Sequence, residues 1–420
     1  MELAEALRIQ LERQVSHWEA AAVALSDPAS FASETAWATL EQYLNRAVRA
    51  SLEMSVRTLR TEITGLRTQL DNAKQGPELV VVARRLQRVR RQYGQVETVV
   101  SFYADAVNTR TSHTLGTHMR ALDRLAVTSM RSALDPMGRP VPPVLTYVDK
   151  GLGAAILRAG VRLWDGRRSP AAAIKVTRHN LYRPTALVHE TGHQVAHLLG
   201  WNREASAAMG KVLADDRQLA LVWRSWTSEI TADAYAFVHC GYAAVAALHD
   251  VVANEIESVL QLTPGDPHPV SYIRVLLGVE MCRRYYGAGP WDDLAAAWTA
   301  THPLSQAAPG VGDLLRRSRT RLPELVNALL AQPCTAFGAR ALAQLVDPQR
   351  VAPAALQQLA AVSGPALFTS SHLVEKEQLR IVALTGLRIA TDPRNTVLHT
   401  ADLARFAQAL GTTTTASLAA

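Results

Sequence analysis

The strongest constraint on the fold is a pair of long heptad patterns in the first third of the chain. Apolar residues recur there at alternating steps of four and three, the spacing that keeps one apolar stripe on a long helix. The stripe stops at Gly76-Pro77 and then resumes with the same period. Two long helices of matching period joined by a short turn are expected to pair antiparallel. The first stripe consists of Leu52, Val56, Leu59, Ile63, Leu66 and Leu70, and the second of Val82, Leu86, Val89, Tyr93, Val96, Val100, Tyr103 and Val107.

The flanking segments complete this N-terminal unit. Residues 3–44 and 115–134 also have helical periodicity, so we predict a helical hairpin or bundle with coiled-coil packing over residues 1–135. An exposed heptad stripe either closes within such a bundle or pairs with another chain. Self-association or partner binding through the heptad helices is therefore one expectation, and the sequence leaves the choice open.

A proline-rich stretch marks a change in structure after the bundle. Residues 136–143 read Pro-Met-Gly-Arg-Pro-Val-Pro-Pro, a composition that cannot sustain a helix. Residues 144–148 and 173–176 then have the character of short strands, and helical periodicity returns beyond about residue 314. We therefore predict a mainly α fold with a small α+β core within residues 136–310. An all-α region with a disordered low-complexity tail is predicted over residues 311–420.

Composition and charge argue against several classes of partner. The chain has 44 basic and 37 acidic residues, a mild excess without a polybasic tail, so we predict no nucleic-acid binding. No apolar stretch reaches the ~20 residues that span a bilayer, and the first residues lack the pattern of a signal peptide. The three cysteines are too widely spaced for a disulfide framework or a cysteine-based metal site. We therefore expect a soluble, cytoplasmic protein.

The first chemical signature is the HExxH motif, which covers residues 189–193 in a predicted helix and is typical of zinc proteases. Residues four apart lie on one helix face with ~6 Å of rise between them, so His189 and His193 can share one cation. Glu190 lies ~100° round the helix from His189. Its carboxylate can reach a water at the metal without being a ligand, which is the position that a general base needs.

A catalytic zinc site with two histidines needs a third protein ligand, and residues 228–233 provide the best candidate. Glu229 and Asp233 are four apart and share one helix face. They stand among apolar residues, where a carboxylate requires a partner. Glu229 can therefore bind the metal while Asp233 accepts a hydrogen bond from the far nitrogen of a ligand histidine and fixes its tautomer.

Together these motifs resemble the gluzincin clan of zinc metallopeptidases. HExxH is followed by Glu-x-x-Ala-Asp at residues 229–233, and then by His268-Pro269 with Arg274 six residues after the histidine. This third element is similar to the His-Pro-x-x-x-x-Arg signature of the CAAX-prenyl protease type I family and its soluble relatives. The three elements span residues 189–274, about a fifth of the chain. The resemblance implies a zincin-like catalytic core, with an edge strand at residues 173–176 lining the substrate cleft.

The resemblance also implies a role for each matching residue. His268 would be a catalytic residue, a possible donor to the oxyanion of the tetrahedral intermediate. Arg274 would be a buried structural cation near that loop. The other matches are the ligands of one catalytic Zn²⁺, His189, His193 and Glu229, the general base Glu190 and the orienting partner Asp233.

The sequence also departs from related patterns. A metzincin would have its third histidine at residue 199, which is Leu199, so that class is excluded. His197 extends the row of histidines, but three stacked side chains on a straight helix cannot reach one metal, so we expect His197 to be packed or to support a ligand. The spanning helices of the membrane-bound family members are absent, so prenylated substrates are not implied.

The leading hypothesis is a soluble zinc-dependent endopeptidase that acts on a protein or peptide substrate. The alternative is a catalytically idle zincin-fold protein that serves as an interaction module through its helical arms. A third interpretation, a helical scaffold without metal, would be separated from both by a measurement of bound zinc.

Overall fold

A computed structural model describes residues 3–151, 153–160, 165–166 and 168–412. Within these residues the fold is mainly helical, with one small three-stranded sheet, as the sequence predicts for the fold class. The predicted disordered tail falls largely on residues 413–420, which lie outside the described residues. No helix in the described ranges is both long enough and apolar enough to cross a membrane.

The chain begins with four helices that form the predicted bundle. They are α1 Leu3–Ala24, α2 Glu34–Leu44, α3 Val48–Asn72 and α4 Gly76–Thr109. Both predicted heptad stripes face inward, and every residue of the first stripe is buried. Gly76-Pro77 opens α4, where proline is tolerated because the first helical N–H groups have no intrahelical acceptor. Because α1 packs against both α3 and α4, the stripes are covered within this chain.

The middle of the chain contains the sheet and the helices of the candidate site. Their bounds are α5 His113–Leu134, β1 Val144–Asp149, β2 Ala155–Leu157, β3 Ala172–Thr177, α6 Thr185–Leu199, α7 Trp201–Val212, α8 Arg217–Ser225, α9 Thr227–Cys240, α10 Tyr242–Val252, α11 Ile256–Val259, α12 Ser271–Tyr286 and α13 Pro290–Thr301. The remaining helices are α14 Val311–Thr320, α15 Leu322–Leu330, α16 Leu342–Leu345, α17 Pro353–Ser363, α18 Ser371–Lys376, α19 Gln378–Thr391 and α20 Thr396–Thr412.

The sheet separates two hydrophobic cores. Its strand order is β1-β3-β2, with β1 parallel and β2 antiparallel to β3. Alternate strand residues point to opposite faces. Leu145 and Tyr147 accordingly join the core of the N-terminal bundle, whereas Val144 and Ile174 join the larger core beneath α6. The sheet therefore forms the wall between the bundle and the helices that carry the HExxH motif.

The packing of α5 and the position of β3 in the sheet both differ from the predictions. Helix α5, expected to complete the bundle, packs instead against α6, β1 and α20, because its apolar residues belong to the larger core. Strand β3, expected to be the edge strand beside the cleft, is the central strand and pairs on both sides. Among the described residues β2 stands at an edge of the sheet, and its Ala155 and Ile156 line the same cavity as His189. The domain limits at residues 135 and 310 stay predictions.

Candidate metal centre

The two helices that carry the candidate ligands, α6 and α9, lie in close contact. A Cβ atom added to Gly192 would lie 2.9 Å from Cβ of Tyr235 and 3.0 Å from Cα of Ala232, so only glycine permits this approach. On the other side of α6, the hydroxyl groups of Thr191 and Ser129 are 2.7 Å apart and join α6 to α5. Two positions inside the motif thus fix α6 against its neighbours, and His189 and His193 lie beside Glu229 of α9.

Three predicted ligands converge at this contact. The distance from His189 Nε2 to Glu229 Oε2 is 3.5 Å, and that from His193 Nε2 to Glu229 Oε1 is 3.3 Å. One ligand atom from each residue can be chosen so that all three lie within 4.8 Å of one another. The structure therefore contains a buried or half-buried His-His-Glu group that could hold a metal ion.

The donor set and its geometry fit a small divalent cation. With metal–ligand bonds of ~2.0 to 2.1 Å in a tetrahedral arrangement, ligand atoms are ~3.3 to 3.4 Å apart, close to both measured distances. The charges agree as well. Besides Arg158, the charged residues that line the cavity are Glu190, Glu229, Asp233 and Arg274, and these four together leave two negative charges when the histidines are neutral. A divalent cation balances this charge.

Asp233 and Arg274 hold the ligands in orientation. Nδ1 of His189 lies 2.8 Å from Oδ1 of Asp233 and donates its proton there, which leaves Nε2 free as a metal ligand. Arg274 is buried and donates to Asp233 Oδ2 at 2.7 Å and to Glu229 Oε2 at 3.1 Å. Asp233 therefore contacts His189, and Arg274 contacts Glu229.

The electrostatic consequence is a strongly proton-binding His189 in the absence of metal. Burial opposes its charged form, but the carboxylates of Asp233 and Glu229 outweigh burial and raise the pKa of His189 to about 10. Burial works against ionisation of Glu229 too, yet the neighbouring histidines and Arg274 lower the pKa of Glu229. The negative charges of Asp233 and Glu229 that favour a proton on His189 would also favour a metal cation in its place.

Glu190 has the environment of a general base. Its side chain is buried and lines the same cavity as the three ligands. Burial raises the pKa of Glu190 above the ordinary value of a glutamate. A carboxylate with a raised pKa accepts and returns a proton more readily near neutral pH.

His268 lies at the mouth of the cavity. Its side chain is 59% exposed, and Nε2 is 3.7 Å from Glu229 Oε2. Asp266 accepts hydrogen bonds from His268 Nδ1 at 2.7 Å and from its backbone N–H at 2.9 Å. Asp266 therefore holds the ring with Nε2 towards the metal group. Asp266 was not predicted from the sequence, although an aspartate two residues before a candidate histidine is a recognisable turn pattern.

The cavity itself has a volume of about 760 Å³ and is bordered by β2. Ala155 and Ile156 of the edge strand β2 line it together with residues of the HExxH helix. Ser228 also lines it, and its hydroxyl lies 3.3 Å from His193 Nδ1. His197, in contrast, is exposed at the far end of α6, so the expectation of a packed or supporting histidine is wrong. One further helical turn carries its side chain away from the α6–α9 contact.

We compared the chain with known proteins at three levels. Protein-family models, curated proteins and solved structures each gave no match. The case for a function therefore rests on the residues and geometry described above.

Proposed function

We propose that this chain is a zinc-dependent endopeptidase of the gluzincin type. The observation that carries the proposal is the convergence of His189, His193 and Glu229 beside the buried carboxylate of Glu190 in one cavity. Two imidazoles and one carboxylate are the protein ligands typical of a catalytic zinc site with an open position for water. The packing of α6 and α9 beside the small sheet supports a zincin-like core.

The residues of the site have separate roles in the proposed hydrolysis of a peptide bond. Zinc held by the three ligands would supply a Lewis acid next to Glu190. Glu190 takes a proton from the attacking water and passes it to the nitrogen of the leaving amine. His268, oriented by Asp266, donates a hydrogen bond from Nε2 to the carbonyl oxygen as that oxygen gains negative charge. Asp233 keeps His189 in the tautomer that presents Nε2.

The edge of β2 gives the substrate a place to bind. An extended peptide can add to a free strand edge through backbone hydrogen bonds, independent of its side chains. Ala155 and Ile156 carry uncharged side chains, and both line the cavity that also contains Glu190. This mode of binding supports an endopeptidase, because an added strand extends on both sides of the scissile bond.

The test compares Glu190→Gln with Glu257→Gln, an exposed glutamate on α11. Glu190→Gln should retain about one zinc per chain and lower peptide turnover by about 10² to 10⁴, the range for a lost general base. Glu257→Gln should behave as wild type in both measurements. Normal turnover in Glu190→Gln would overturn the role of Glu190. Stoichiometric zinc without cleavage of any peptide would favour the idle interaction module instead.

A further inference from the structure

Two helices that line the cavity are polar or charged near their first residues and apolar further along. The cavity-lining residues are Ser228, Glu229, Asp233, Ala236 and Phe237 in α9, and Ser271, Arg274, Leu277, Gly278 and Met281 in α12. These spacings each follow one helix face. The cavity therefore continues beyond the metal group into an apolar part.

A third helix covers this part. The face of α10 that lines the cavity consists of Ala244, Val245, Ala247, Leu248, Val251 and Val252. Val245 is buried, whereas Ala247 and Leu248 are half-buried. A Cβ atom on Gly278 would be 2.9 Å from Val245 Cγ1, so glycine allows α10 and α12 to pack closely here. We call the cavity-lining residues of α10 together with Ala236, Phe237, Leu277, Gly278 and Met281 the apolar arm.

The composition of the apolar arm limits what it can bind. None of its residues carries a charge or a side-chain hydrogen-bonding group other than the weakly accepting sulfur of Met281. From Arg274 to Met281 the helix rises ~10 Å. This length exceeds that of any apolar side chain in a protein, so the arm is long enough to hold a large one. A charged side chain there would lose its hydration without a partner.

We propose that the apolar arm is the specificity pocket for a large apolar side chain next to the scissile peptide bond. This inference rests on the proposed peptidase function and names the class of its substrate. A peptide added to β2 directs alternate side chains to one face. The arm opens directly from the metal group, so it receives the side chain of a residue that flanks the bond to be cleaved.

The first experiment profiles cleavage by the zinc-loaded full chain on a peptide library that is randomised on both sides of the bond. Large apolar residues such as Leu, Met and Phe should be preferred over Gly or Asp by about 10- to 100-fold in kcat/KM at one position. Ala247→Trp should fill the arm and reduce this preference at least tenfold. The control is Ala253→Trp, at the exposed end of α10 outside the cavity.

A second variant tests the arm if Ala247→Trp fails to fold. A binding assay tests the arm without relying on peptide cleavage. Leu248→Asn should weaken the preference without filling the arm. In a Glu190→Gln background, calorimetry should show tighter binding of a Leu-containing peptide than of its Gly counterpart by about tenfold or more.

The outcomes separate the two hypotheses. Cleavage without an apolar preference overturns the specificity pocket and leaves the peptidase intact. Selective binding without cleavage by the wild-type protein overturns the peptidase and supports the pocket. Neither cleavage nor selective binding overturns both, and an unchanged preference in both Ala247→Trp and Leu248→Asn overturns the assignment of the arm.

Discussion

Removal of the Arg274 guanidinium should destabilise the metal-free protein severely. The side chain is buried and makes three hydrogen bonds, one to Glu229 and two to Asp233. The substitution Arg274→Met keeps most of the apolar volume but removes the guanidinium that pairs with both carboxylates. Removing one partner of a buried ion pair costs about 3 to 5 kcal/mol, largely because the remaining charge stays desolvated.

Arg283 provides a matched control on the same helix. It donates to Asp292 Oδ1 at 2.7 Å, the same distance as the shortest Arg274 contact, but its side chain is 44% exposed. Exposed ion pairs contribute about 0 to 1 kcal/mol, so Arg283→Met should cost no more than this. Residue type, helix and shortest bond length are alike, so the two arginines differ in burial and in the number of hydrogen bonds to carboxylates.

The measurement is urea denaturation of the metal-free variants, followed by tryptophan fluorescence and circular dichroism. Saturating zinc should recover part of the loss in Arg274→Met, because the bound cation compensates the same carboxylates and ligand binding stabilises the folded state. If Arg274→Met lowers the free energy of unfolding no more than Arg283→Met does, the argument that Arg274 compensates the buried acids is refuted.

Three further predictions concern the site itself. Asp233→Asn should weaken zinc binding by about 10- to 100-fold in a chelator competition, since Asp233 orients His189. Because the pKa of His189 is raised to about 10, the metal-free protein holds a proton there below that pH. Zinc binding at pH 7 should therefore release about one proton from this ring, and affinity should rise with pH towards 10, as calorimetry in buffers of different ionisation enthalpy would detect. His268→Ala should lower kcat by about 10² to 10³ with zinc affinity unchanged.

Each of these predictions has a clear contrary result. Wild-type zinc affinity in Asp233→Asn would show that the hydrogen bond to His189 does not orient the ligand. Zinc binding without proton release at pH 7 would contradict the raised pKa of His189. Loss of zinc together with activity in His268→Ala would make His268 a ligand rather than a donor to the substrate.

The helical parts of the fold were predictable because their signal is local. The heptad period of α3 and α4 determines which residues are buried, and Gly76-Pro77 marks the turn. The place of α5 was not predictable, since its apolar stripe fits a bundle and a larger core equally well. Packing partners far along the chain, in α6 and α20, decide between the two.

In the candidate site, too, the features with a local sequence signal were predictable and those that depend on distant parts of the chain were not. His189, Glu190 and His193 follow from helix geometry within five residues, and the pairing of Glu229 with Asp233 follows from their spacing and apolar surroundings. The edge strand was misassigned because strand order depends on pairing over distance: residues 173–176 form the central strand, and the short β2 forms the edge. The apolar arm joins three helices and has no local sequence pattern.

The most direct test of the account is X-ray absorption at the zinc edge of the purified, zinc-loaded protein. Two histidine nitrogens at ~2.0 to 2.1 Å and oxygen ligands at ~2.0 to 2.2 Å are expected, with the oxygen shell altered in Glu229→Ala. A sulfur ligand at ~2.3 Å, or a wild-type spectrum in Glu229→Ala, would contradict the metal centre formed by His189, His193 and Glu229.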